Sequence, residues 1–112
     1  MEEKLTVDPK DAQDNKIMGI LAYFGILVLV PILAAKESPF ARFHANQGVI
    51  LCILWIILFI VREVLWRISW TLGSLCGLLY FAIFVFAIIG IINAAKGEVK
   101  ELPLIGSFKI LK

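Results

Sequence analysis

The residues best suited to chemistry lie together at Arg42, His44, Asn46 and Gln47, four polar side chains that open an otherwise apolar run. With Glu37 close by, they can form a hydrogen-bonded cluster at the mouth of a helix, which makes them the binding-site candidates of this chain. The plainer alternative is an ordinary interfacial helix start, since such groups cost little at headgroup depth. A lone histidine with no second histidine or cysteine beside it is not a metal site. Cys52 and Cys76 sit inside apolar runs, where a thiol behaves as a small hydrophobe. There is no nucleophile-elbow motif, no pair of carboxylates at membrane depth and no metal-ligand spacing, so an enzyme is not expected and no cofactor is implied. Ser38, Ser69 and Ser74 read as cap and packing residues.

The elements that must position this cluster are apolar. Of the 112 residues, 61% are hydrophobic, more than a soluble domain of this length can hide from water. The charges fall in the first sixteen residues, two short interior patches and the last seventeen. They leave charge-free runs at 17–35, 43–61 and 68–95, each near or above the roughly 20 residues that span the hydrocarbon core. The expectation is an all-α integral membrane protein. It would have about three transmembrane helices, at 16–35, 39–66 and 70–95, and a short interfacial helix within an amphipathic surface segment at 96–112. Residues 1–15 read as a mobile polar tail, too poor in large apolar side chains to fold alone. Its acids argue against a cleaved signal, so the first apolar segment reads as retained.

Local signals refine this outline. Pro31 should loosen the end of the first helix, whereas Ser38 as cap and Pro39 at the first helical position mark the start of the second. Glu63 and Arg67 are spaced for a helical ion pair. Ser69, Gly73 and Gly77 form a small-residue stripe that would let another helix approach closely. No charged residue lies in the interior of any crossing, at 17–35, 43–61 or 70–95, which disfavours active transport by this chain alone. A net charge of +2 without a basic stripe excludes nucleic acid as a partner.

Two stretches carry a resemblance, LAYFGILVLVPILAAKESPFARFHANQG and GIINAAKGEVKELPLIG. They resemble the small prokaryotic proteins of domain-of-unknown-function 4870, which are similar to the twenty-kilodalton translocon subunit of the chloroplast inner envelope. The resemblance implies a helical membrane fold in a prokaryotic inner membrane and a link to protein-conducting channels. The four crossings of the chloroplast relative exceed the three expected here, so one copy would not enclose a pore.

Two functions follow as expectations. One is a non-enzymatic module, an accessory or pore-forming part of a translocation or channel complex, assembled through helix contacts as a homo-oligomer or within a larger membrane complex. The other is a lipid-binding or regulatory membrane protein that engages a larger partner through the His44 cluster and the C-terminal segment. Membrane lipid is a partner in both. With three crossings the cations divide six against five, and the first connector and the C-terminus are assigned to the cytoplasm because a short acidic tail crosses readily.

Overall fold

The computed structural model describes residues 8–102 and residue 105, and within them the chain is all-helical. In order come α1 (Pro9–Asp14), α2 (Lys16–Leu21), a 3-10 turn (Gly25–Val28), α3 (Leu29–Ala34), α4 (Pro39–Ile68) and α5 (Trp70–Ala95). Two of these, α4 and α5, are long and apolar enough to cross a membrane.

The long pair forms an antiparallel hairpin. A single extended residue, Ser69 at φ −156° and ψ 134°, separates the two helices. At that end the Trp66 ring lies so close to Gly73 that a β-carbon there would meet Trp66 Cε3. Near the middle, the Trp55 and Tyr80 rings meet edge to face at 6.1 Å. The small-residue stripe therefore divides: Ser69 makes the turn, Gly73 admits Trp66, and Gly77 faces open space with no atom within 4 Å of a β-carbon. Glu63 pairs with its neighbour Arg62 at 3.3 Å rather than with Arg67.

The first apolar stretch departs from expectation. The helix anticipated over 16–35 is broken between Leu21 and Gly25, and Gly25 takes a φ of +63°, a conformation that strains any residue with a β-carbon. Pro31 falls in the first turn of α3, where its missing N–H leaves no helical hydrogen bond unmade. Both ends of the stretch lie at one end of the molecule. Asp11 in α1 accepts a hydrogen bond of 2.6 Å from the Ser38 hydroxyl in the connector before α4. The stretch thus folds back on itself and packs on α4 and α5, so the structure does not confirm the expected third crossing: the single straight helix expected over 16–35 is replaced by a broken one, and two helices are long and apolar enough to span.

Close backbone approach makes this possible. At Gly48 of α4, a β-carbon would fall within bonding distance of the Ala22 carbonyl oxygen, so only glycine lets the break seat against α4. Residues 9–14, expected to be part of a mobile tail, form α1 with Ala12 buried at its centre. The expected C-terminal surface helix lies mostly outside the described residues. Its first part, 98–102, is non-helical chain laid back over the hairpin.

This packing separates two glycine substitutions. Gly48→Ala should destabilise the fold by about 1–3 kcal/mol, the ordinary cost of overpacking, whereas Gly77→Ala should be neutral. Unfolding midpoints in mixed detergent micelles distinguish them, and equal midpoints would contradict the seating of Ala22 on Gly48.

Candidate functional site

The geometry of the polar cluster starts from the two helix ends that frame it. At the α4 N-terminus, the Ser38 hydroxyl accepts from the Ala41 amide at 3.0 Å, a regular N-cap that holds Pro39 at the first position. At the α5 C-terminus, the Gly97 amide bonds the Ala94 carbonyl and the Glu98 amide bonds the Asn93 carbonyl. With Gly97 at φ +74°, this pair of bonds is a Schellman cap, and it turns the chain back toward α4.

His44 is fully buried where the three segments meet. Its Nε2 lies 2.7 Å from the Glu98 carbonyl oxygen, and its Nδ1 lies 2.7 Å from the Tyr23 hydroxyl. A carbonyl only accepts, so Nε2 carries the proton and Nδ1 accepts from Tyr23, which assigns the neutral tautomer. The rings of Phe40, Phe43 and Tyr23 surround it edge-on, with centroids at 4.7, 5.1 and 5.6 Å. Tyr23 reaches it because Gly90 of α5 leaves room for the phenol ring.

Gln47, one turn further along the same face, is also fully buried, and its Oε1 accepts from the Leu102 amide at 2.9 Å. His44 and Gln47 therefore stitch the segment after α5 onto α4. Asn46 is buried beside them, while Arg42 is half-buried and makes no side-chain hydrogen bond or ion pair among the described residues. Of the four candidates, the structure joins His44 and Gln47 in one function, and that function is to bind the chain itself.

Four participants escaped the sequence reading: Asp11, Tyr23, the Glu98 carbonyl and the Leu102 amide. The Asp11 carboxylate sits on the α4 N-terminus, where Oδ2 accepts from the Phe40 amide at 2.9 Å and Oδ1 from Ser38 and from Asn15 Nδ2 at 2.8 Å. The positive end of the helix dipole favours an anion there. Partial burial would raise the Asp11 pKa, but the three hydrogen bonds outweigh it and hold the group below its ordinary 3.8. Among the described residues, no group of three or more His, Cys, Asp or Glu side chains is placed to hold a metal ion.

Comparison with known proteins then assigns the lineage. Residues 14–109 match the magnetosome magnetite crystal formation protein family. A UPF0132 membrane protein of Methanocaldococcus jannaschii is 36% identical over 96 residues, 83% of each chain. The magnetosome protein MamF of Magnetospirillum gryphiswaldense is 30% identical over 109 residues, 94% of each chain. MamF of Paramagnetospirillum magneticum is 32% identical over 96 residues, covering 85% of this chain and 82% of its own. No solved structure matches. These matches overturn the resemblance to domain-of-unknown-function 4870 and to the chloroplast translocon subunit, which rested on short motifs separated by stretches where hydrophobicity alone agreed.

The Asp11 contacts imply a pH dependence of known sign. Because its folded pKa is depressed, the carboxylate contributes stability that is present above pH 3.8 and lost as pH falls through the folded value. Unfolding midpoints measured from pH 6 to pH 2.5 should drop below about pH 4, and the drop should be shallower in Asp11→Asn. Parallel curves would show that Asp11 is not the group responsible.

Proposed function

The chain belongs to the magnetosome magnetite crystal formation protein family, and on that premise we propose that it is a non-enzymatic membrane module that works by assembling with other membrane-embedded chains. One observation carries this reading: the outer faces of α4 and α5 are uncovered. Trp70, Leu78, Phe81 and Ile60 are more than half exposed, on helices that are themselves long enough to span. Such surfaces suit lipid or another apolar helix. Gly77 lies exposed on α5, where the lack of a side chain permits the close backbone contact through which membrane helices associate.

The relatives support the same level of description. Some are named as membrane proteins and others as magnetosome proteins, and we take the membrane fold as what this chain shares with them. The alternative of a headgroup-binding or regulatory protein loses its main support, because His44 and Gln47 face inward and are occupied by the chain itself.

The folded-back stretch sharpens the orientation. Lys10, Lys16, Lys36, Arg42, Lys96 and Lys100 now lie at one end, and only Arg62 and Arg67 at the other, among the described residues. Under the positive-inside rule we assign the connector and the end of α5 to the cytoplasm. In a background of Cys52→Ser and Cys76→Ala, an impermeant maleimide applied to intact cells should label Arg67→Cys and spare both Asp14→Cys and Glu37→Cys. Labelling of Asp14→Cys without Glu37→Cys would restore a third crossing.

Assembly is tested in the same background. Oxidation of native membranes carrying Gly77→Cys should yield a disulfide-linked species containing two copies, or one copy and a partner, and Ala94→Cys, fully buried, should yield none. A monomer alone at Gly77, Leu78 and Phe81 would defeat the reading.

A further inference from the structure

A groove of about 840 Å³ opens between the break in the first apolar stretch, α4 and α5. Its walls are apolar, with Leu51, Ile56, Ile83 and Phe84 among them, and its size is that of a site for one small molecule. The polar groups on its lining decide what it accepts. The Tyr23 hydroxyl is committed to His44, and the Cys52 thiol donates to the Gly25 carbonyl at 3.4 Å. The Trp55 indole N–H and the Tyr80 hydroxyl have no hydrogen-bond acceptor in the described chain, although both residues line the groove and their rings are in contact.

The depth of this pair is unusual. Tryptophan and tyrosine ordinarily sit at the membrane interfaces, where their polar atoms reach water or headgroups. Trp55 is 16 residues from the start of α4 and 13 from its end, and Tyr80 is 10 and 15 residues from the ends of α5. At about 1.5 Å per residue, Trp55 lies roughly 10 Å along α4 from Arg62 and about 16 Å from His44, and Tyr80 lies about 15 Å from the start of α5. Phospholipid ester carbonyls stay near the edges of a hydrocarbon core about 30 Å thick, and acyl chains offer no acceptor at its centre. A carbonyl-bearing molecule that dissolves in the bilayer interior would offer both donors an acceptor. The aromatic wall of Trp55, Tyr80 and Phe84 also suits a flat ring.

We propose that the groove binds a lipid-soluble quinone, with a ring carbonyl accepting from Tyr80 and Trp55 and an apolar tail lying between α4 and α5. Binding alone is inferred; no redox step is assigned.

The test uses the full chain in phosphatidylcholine nanodiscs, with Trp66→Phe and Trp70→Phe leaving Trp55 as the sole fluorophore. Titration with decylubiquinone should quench Trp55 to a plateau. Tyr80→Phe removes a hydroxyl with no partner among the described residues, so it should preserve the fold and raise the half-saturation point about twofold to tenfold, the worth of one hydrogen bond. Decylbenzene, which has the tail but no carbonyl, should not relieve the quenching at equal concentration. Quenching that grows without saturating, a Tyr80→Phe curve that overlays the parent, or equal competition by decylbenzene would each overturn the proposal.

Discussion

A polar group withdrawn from water needs a hydrogen-bond partner, and in this small chain His44 is where that constraint converges. In an apolar setting, an unmet donor or acceptor costs about 1–3 kcal/mol, a large share of the stability of any single domain. One imidazole meets two such demands, accepting from the Tyr23 hydroxyl and donating to the Glu98 carbonyl, each at 2.7 Å. It thereby joins the broken first apolar stretch, α4 and the segment after α5. Gln47 adds a second stitch to the same segment through the Leu102 amide. The residue types that first suggest a ligand site are here the means by which a short chain closes its own polar end.

The Asp11 latch applies the same principle outside the apolar zone. The first amides of α4 have no helical partners, and Ser38 and Asp11 between them satisfy those of Ala41 and Phe40. Because Asp11 comes from α1, capping α4 also pins the start of the chain to the connector. That long-range contact holds the two ends of the first apolar run together.

Much of the scaffold was legible. Charge-free runs marked α4 and α5, and Ser38-Pro39 marked the α4 start, because length, apolarity and capping are local properties. The first run misled for a physical reason: hydrophobicity measures whether a segment tolerates lipid, not whether it continues straight. The signals for the break were Gly25, which supplies the positive φ, and Gly48, which admits the Ala22 carbonyl from 26 positions away. Only the first is local. His44 and Gln47 were identified as unusual, but their partners are a tyrosine within an apolar run and two backbone groups beyond α5, none of which carries a sequence signature.

Non-helical backbone at membrane depth is tolerated only where the protein itself satisfies it. Around the break, the Tyr23 and Phe24 amides still bond the Ile20 and Leu21 carbonyls, the Leu27 amide bonds the Phe24 carbonyl, and the Gly25 carbonyl accepts from the Cys52 thiol. The break is thus a turn with its backbone bonds largely kept. What it gives up is packing: a straight helix would lie flush along α4, whereas this turn leaves the groove beside Gly25 and Cys52. That groove lies further along the same helices and borders Trp55 and Tyr80, whose polar donors have no acceptor among the described residues.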